Sequence, residues 1–215
     1  YTLSGHQEAA LSPTVTDAMD KSGMETKELN LLTDSAVPED CSLLIINNPQ
    51  KDISEDEKTT LTDYLKNGGH LLLLAGTTQD TLTNLTSLCS MYGMDLRNGF
   101  VADPAPQHFY SNNPFNVIPD YDFSSGLLTG VDSGQAALAV QPSGMTIQEN
   151  LREGLSVSPF LTTSGSGILV TLLPRKKQRA HIYLGPPQWK RSMKKRIHPL
   201  CSRSSRRRPS LTMIS

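Results

Sequence analysis

The sequence is poor in the features that usually announce a function. It has three cysteines, Cys41, Cys89 and Cys201, none in a CxxC or other metal-ligand spacing. So sparse and odd a set makes neither a disulfide scaffold nor a zinc site, and free cysteine ordinarily behaves as a small hydrophobe. Cys89 follows Leu88 on a helical pattern and reads as a core thiol, not a nucleophile. No apolar run approaches the roughly 18–20 residues that cross a bilayer. The longest, residues 71–75 and 168–173, are strand-sized. There is no G-x-G-x-x-G, no Walker A pattern and no G-x-S-x-G nucleophile elbow, which excludes the common dinucleotide, triphosphate and serine-hydrolase signatures. His6-Gln7-Glu8 is H-x-E, but the P-C-x-x-C partner of a zinc deaminase is missing. The first residue is Tyr1 and no signal peptide is visible. The expectation is a fragment or processed product, with any anchor outside this sequence.

Charge, near zero overall, is unevenly spread. The chain of 215 residues has 20 Lys and Arg against 21 Asp and Glu, a net of −1. Residues 1–174 carry 7 basic and 21 acidic side chains, net −14, whereas residues 175–215 carry 13 basic and none acidic, net +13. A switch of that size marks two segments of different origin or role. The tail has runs such as Lys194-Lys195-Arg196 and Arg206-Arg207-Arg208, with Trp189 as its one large anchor. Such runs can hold nucleic acid or anionic lipid through phosphate contacts, but without apolar periodicity they more commonly stay solvated and disordered. Arg207-Arg208-Pro209-Ser210 also resembles a basophilic kinase site.

Hydrophobic patterning predicts an α/β domain over about residues 1–165. Tyr1-Thr2-Leu3 reads as a strand end, a helix is expected from about Gln7 to Lys21, and a weak strand lies between Glu25 and Leu32. The clearest unit is central. Ser42–Ile46 is a continuous apolar run, as expected for a strand buried on both faces. Ser54-Glu55-Asp56-Glu57 is a capping box, with acidic residues at the positive end of the helix dipole. Leu61, Tyr64 and Leu65 share one helix face, Gly68-Gly69 stops the helix, and Leu71–Leu74 is the next buried strand. Such a β–α–β unit implies a parallel crossover. Leu44, Ile46, Leu61, Leu65, Leu72 and Leu74 are the expected core. A further helix follows from about Leu82 to Tyr92, and residues 100–102, 136–140 and 154–163 contain strand candidates. Residues 103–125, rich in Pro, Asn and aromatics, read as a long ordered loop.

Few residues carry chemistry. Asp120 and Asp122 could pair as carboxylates, but they flank Tyr121 in a polar stretch that reads as a solvated turn. Asn84-Leu85-Thr86 fits a glycosylation sequon inside a predicted helix. The most interesting segments are set by position. Gly5, His6 and Glu8 follow the first strand, and Asn47, Asn48, Gln50 and Asp52 follow the third, at the carboxyl edge where open α/β sheets bind ligands. They form a candidate binding rim, although Asn, Asp and Gly also simply make turns.

The order of short motifs adds a family resemblance. Gly5-His6-Gln7-Glu8 resembles the G-H-G-E start of the gliding-motility-type (GldG-like) auxiliary components of ABC transporters. Residues 44–57 resemble that family's strand–loop–helix segment, and residues 64–72 its Y-L-x-x-G-G continuation. Asn84-Leu85 through Tyr92-Gly93-Met94, then Gly99-Phe100-Val101, follow in the same order. The likeness covers about residues 1–165, with Gln7 in place of the second glycine. It implies a mainly parallel open sheet, flavodoxin-like or glutamine-amidotransferase-like, on the extracytoplasmic side of a cell membrane. The expected partners are an ABC-2-type permease and its ATPase, with membrane anchorage through segments absent from this chain and no nucleic acid. Such domains are auxiliary parts, so no catalysis, cofactor or metal is expected. The loop from Asn47 to Asp52 offers no Cys or Ser nucleophile, and fold likeness alone does not restore chemistry. Two alternatives stand beside this reading: a hydrolase or transferase using His6 with Glu8 or Asp52, and a nucleic-acid binder acting through the tail. Residues 166–215 are expected to be a disordered basic tail foreign to the family. Family likeness and acidic residues both stop before it, as a reading-frame shift would produce, since glutamate codons read one base late give Lys or Arg.

Overall fold

The computed structural model describes residues 1–132 and 134–171, together with the backbone of residues 182–184 and 211–213. The chain forms two compact units, Tyr1–Tyr92 and Gly93–Ser215.

The first unit contains the three α-helices found among the described residues, and the parallel sheet. Its elements are β1 (Thr2–Leu3), α1 (Pro13–Lys21), β2 (Glu28–Leu29), β3 (Leu44–Asn47), α2 (Glu55–Lys66), β4 (Leu71–Leu74) and α3 (Thr83–Met91). The four strands run parallel in the order β2-β1-β3-β4. Helix α1 begins later than its pattern suggests. Gln7 has φ +58°, outside the helical region, and Pro13 takes the first helical position, where its missing N–H costs nothing. Ser12 caps it by accepting from the Val15 amide. Helix α2 begins as its sequence predicts. Ser54 Oγ accepts from the Glu57 amide at 3.2 Å, and Glu57 Oε2 accepts from the Ser54 amide at 2.8 Å. Near the end of α2 the Tyr64 hydroxyl donates to the carbonyls of Cys41 and His70 and accepts from the His70 amide. The ring lies so close to Gly69 that a Cβ there would overlap it, so this glycine is required by close approach.

The buried set is partly the expected one. Leu44, Ile46, Ile53, Leu61, Leu85 and Leu88 are almost fully buried. Leu65, Leu72 and Leu74 are only half-buried, and Leu73 is the buried residue of its strand. The reason is topological. Among the described residues β4 pairs with β3 alone, so it is an edge strand and not the central one that its four leucines suggest.

The second unit overturns the expectation of a mainly parallel open sheet of flavodoxin or amidotransferase type. Its strands are β5 (Met94–Arg97), β6 (Phe100–Ala102), β7 (Phe109–Tyr110), β8 (Asn113–Val117), β9 (Asp120–Tyr121), β10 (Ala139–Val140), β11 (Gly144–Ile147), β12 (Leu161–Thr162), β13 (Ile168–Val170), β14 (Ile182–Leu184) and β15 (Leu211–Met213). They form three small antiparallel sheets, ordered β10-β8-β7, β5-β11-β15-β12-β9 and β14-β13-β6. A parallel neighbour needs a crossover of a dozen or more residues, usually helical. Among the described residues no α-helix follows α3, so the strands that follow pair antiparallel. Residues 103–125, read as loop, hold three of these strands. Ser111 and Asn112 both have positive φ, near +57° and +55°, and link β7 to β8 as the two-residue turn that suits a twisted hairpin. Val101, Val117 and Ala139 form a buried cluster with Leu169 against it. The buried carboxylate of Asp103 is fully engaged, accepting from Ser164 N and Oγ, both at 2.7 Å, and from Ala105 N at 3.1 Å. The charge runs of the tail, Trp189 and the Ser210 motif lie outside the described residues, whereas the described parts of residues 166–215 hold β13, β14 and β15.

Three substitutions test this assignment. Ser54→Ala should cost about 1 kcal/mol as a lost N-cap. Leu61→Ala should cost roughly 2–5 kcal/mol as a core truncation, and Leu72→Ala distinctly less because its side chain is half-exposed. Equilibrium denaturation checks the ranking; equal losses for Leu61 and Leu72 would contradict the edge position of β4.

Candidate functional site

In the order β2-β1-β3-β4 the connections diverge on either side of β1 and β3. Ligands of open α/β sheets sit in the crevice at such a point, outside the carboxyl ends of the strands. Residues 4–12 leave β1 there and residues 47–54 leave β3. The candidate rim residues Gly5, His6, Glu8, Asn47, Asn48, Gln50 and Asp52 all lie on these two segments, and the fold joins the segments directly. The His6 carbonyl accepts from the amides of Gln50 and Lys51, both at 3.0 Å, and the Ala9 amide donates to the Asn47 carbonyl at 2.8 Å. Asn47 Nδ2 donates back to the carbonyls of Ala9 at 2.8 Å and Ala10 at 3.3 Å.

His6 is the centre of the arrangement. Its residue is 3% exposed. Nδ1 lies 3.0 Å from Glu8 Oε1, and Nε2 lies 3.1 Å from Glu57 Oε2. The His6 amide also donates to Glu8 Oε2 at 2.7 Å, so Glu8 grips both backbone and ring. A neutral imidazole carries only one N–H. Both ring contacts are hydrogen bonds only if the three groups share one further proton, on the ring or on a carboxyl. A buried charged group survives when paired and hydrogen-bonded, and this trio meets that condition across 51 residues of sequence. One atom does not: Glu57 Oε1 is buried and has no hydrogen-bond partner among the described residues.

Asp52 does different work. Helix α3 starts after Leu82, which cannot cap it. Asp52 supplies the cap from another segment: Oδ2 accepts from the Asn84 amide at 2.8 Å and Oδ1 from the Leu85 amide at 3.0 Å. Oδ1 also accepts from Ile53 N at 3.1 Å. A carboxylate in that position satisfies the free amides and suits the positive helix end. It also fills the place where a helix N-terminus binds an external anion. Asn84 Nδ2 donates to the Ile53 carbonyl at 2.8 Å, so the sequon asparagine is engaged inside the fold.

The remaining rim residues are held as tightly. Asn48 has φ +50°, a left-handed conformation that asparagine tolerates better than most residues. Its amide donates to the Leu74 carbonyl at 2.7 Å. Gln50 Nε2 donates to Asn48 O at 3.2 Å and Oδ1 at 3.0 Å. The Asn48 carboxamide lies where a Cβ on Gly76 would collide with it. Thr78 Oγ1 donates to the Gln50 carbonyl at 3.1 Å, and Lys51 pairs with Asp80 at 2.6 Å. At Gly5, φ is +113° and a Cβ would stand 3.0 Å from Leu32 Cδ1. Gln7 takes a left-handed conformation that glycine adopts without steric cost.

The rim is therefore assembled, and its polar groups bond mainly to one another. A general base must reach the proton it takes, and His6 presents almost no surface with which to do so. The structure pairs His6 with Glu8 but sends the Asp52 carboxylate to α3. Sequence reasoning missed Glu57 as the second partner of His6. The capping box was visible, but the oxygen that closes it, Glu57 Oε2, also meets a histidine far away in sequence. Gly76, Thr78 and Asp80 were missed because only the fold brings them to Asn48, Gln50 and Lys51. Elsewhere, Asp122 caps a short 3-10 turn by accepting from Ser124 Oγ and, at 2.9 Å, from Ser124 N, and these two bonds, the hydroxyl first, hold its carboxyl below the usual range. An open hollow of about 630 Å³ lies beside Tyr1, Glu28, Leu29 and residues 33–39, not at the rim. Among the described residues no group of His, Cys, Asp and Glu is placed to hold a metal ion. Nor is any helix there long and apolar enough to cross a membrane.

No family model matches the chain. No curated protein matches it either. Among solved structures the chain is similar to one described as the mmIFT52 N-terminal domain, with a TM-score of 0.56 and 15% identity over 77% of this chain and 73% of that one. At that identity the likeness concerns the fold alone.

Cys89 gives a prediction that separates core from nucleophile. The thiol is buried, and loss of hydration pushes it up to about 12 from the ordinary 9.0 of a solvated thiol. It should resist alkylation in the native state at neutral and mildly alkaline pH and react on unfolding. Above the unfolded value the unfolded chain releases a proton that the folded chain keeps, so this group's contribution to stability falls as pH rises from about 9 to about 12. Rapid native-state alkylation of Cys89, read by mass spectrometry, would contradict its burial.

Proposed function

We propose that the chain is a non-catalytic auxiliary domain of a bacterial ABC transport system of the ABC-2 or gliding-motility type. It stands on the extracytoplasmic side of the cell membrane, anchored through segments outside this chain. Its partners are the permease and the ATPase of that system. The reading rests first on the order and spacing of the GldG-like motifs over residues 1–165. Its single strongest physical support is the state of the rim. His6 is clamped by Glu8 and Glu57, and Asp52 caps α3. The groups that would bind or transform a small molecule are consumed in holding two loops together. A domain built in this way presents surfaces to other proteins in place of a reactive cleft. The solved neighbour is, by its own description, the N-terminal domain of a protein, and the present reading likewise treats this chain as one domain of a longer one.

Affinity capture tests this. A full-length, membrane-anchored version of the protein, solubilised in detergent, should recover an ABC permease together with its ATPase. Recovery of soluble partners alone would overturn the reading. Hydrolase or transferase activity abolished by His6→Gln, with folding intact, would overturn its non-catalytic part.

A further inference from the structure

An asparagine followed by glycine is prone to lose its side-chain amide, because no Cβ hinders the glycine nitrogen as it closes a five-membered ring on the carboxamide. The chain has two such pairs, Asn67-Gly68 and Asn98-Gly99, and the fold treats them differently. Asn98 is exposed, but Gly99 is buried between β5 and β6. A Cβ on Gly99 would stand 2.7 Å from the Val170 carbonyl oxygen. Both flanking strands are held in sheets, β5 by β11 and β6 by β13, so the peptide between them is not free to rotate into a ring. Asn67 is the C-cap of α2, and both it and Gly68 are exposed. Its carboxamide has no hydrogen-bond partner among the described residues, and nothing lies within 4 Å of a Cβ built on Gly68. The Gly68 amide is tied to the Leu65 carbonyl alone, at 3.1 Å, in the last turn of the helix, where fraying begins.

We propose that Asn67 is a site of spontaneous modification to aspartate and isoaspartate, and that this change unlatches the end of α2 from the start of β4. Frayed from Leu65, the Gly68 nitrogen gives its proton to water or hydroxide and attacks Asn67 Cγ. The N–Cγ bond forms, the Cγ–Nδ2 bond breaks, and Nδ2 leaves as ammonia with a proton from water. Water then opens the succinimide, at Cγ to give aspartate or at the main-chain carbonyl to give isoaspartate. The sum is asparagine plus water to the acid plus ammonia, with no oxidant or reductant. Either product places a carboxylate at the negative end of the α2 dipole, where it is unfavourable. Isoaspartate also adds one carbon to the main chain just before Gly68-Gly69. That is where the Tyr64 ring packs so close that a Cβ on Gly69 would overlap it. The Tyr64 hydroxyl bonds there to the His70 amide and carbonyl and to the Cys41 carbonyl, so lengthening the chain at this point pulls His70 off its partner. The inference does not depend on the transport reading.

The test is to age the full chain in warm, mildly alkaline buffer and to map its peptides by mass spectrometry, with isoaspartate scored by enzymatic methyl transfer to its free carboxyl. In the folded chain Asn67 should convert several-fold faster than Asn98, with isoaspartate the larger product. In denaturant the two pairs should convert at similar rates, which shows that the difference comes from the fold. Amide exchange at His70 should be about tenfold faster in the isoaspartyl fraction than in fresh protein, the worth of about one net hydrogen bond. Asn67→Gln, whose longer side chain cannot close the five-membered ring, should age without that change, and circular dichroism checks that it folds. Equal conversion of Asn67 and Asn98 in the folded chain would overturn the proposal. So would an Asn67 that keeps its amide while the unfolded chain loses it, or an isoaspartyl fraction whose His70 exchange is that of fresh protein.

Discussion

The contact on which the first unit depends is the clamp of His6 between Glu8 and Glu57. The imidazole joins the segment leaving β1 to the first turn of α2, with both ring nitrogens within about 3 Å of a carboxylate oxygen. Glu57 belongs at the same time to the capping box that starts α2. One side chain thus fixes where the helix begins and how the β1 segment lies against it. Around this point the backbone bonds between His6, Gln50 and Lys51 and between Ala9 and Asn47 close the crevice. Asp52 extends the same logic to α3, where a carboxylate of the chain takes the position of an external anion. The carboxyl edge of the sheet, usually the reactive end of an α/β fold, is here a joint.

The two units differ because their connections differ. Up to α3 the strands are linked by helices and long segments, and all of them pair parallel. Beyond α3 the described links are mostly short and rich in residues that take positive φ, among them Gln107, Ser111, Asn112 and Gln141. The pairing there is antiparallel throughout. A parallel sheet running through the whole domain lacked the crossovers it needed.

What the sequence revealed tracks what is local. The capping box at Ser54 and the end of α3 before Gly93 are written in a few adjacent residues and are where the pattern places them, while the strand expected over Ser42–Ile46 runs from Leu44 to Asn47. The edge position of β4 was not legible, since four leucines read the same at an edge as at a centre. The hairpin at Ser111-Asn112 was legible in principle, because paired small polar residues between short β-formers are a turn signal. The strands beside it were hidden by Pro and Asn within the stretch. At the site, position along the strands was enough to nominate His6, Glu8 and Asp52, because the carboxyl edge follows from strand direction. Their roles were not, since each is decided by a partner distant in sequence: Glu57 for His6, and the first amides of α3 for Asp52.

A double-mutant cycle between His6 and Glu57 tests the central claim most directly. Stability is measured for the native chain, His6→Gln, Glu57→Gln and the double variant by equilibrium denaturation. A buried, charge-assisted contact predicts a coupling of about 1.5–3 kcal/mol, the range for hydrogen bonds to charged groups. Changes that add to within about 0.5 kcal/mol, as at independent sites, would contradict the clamp.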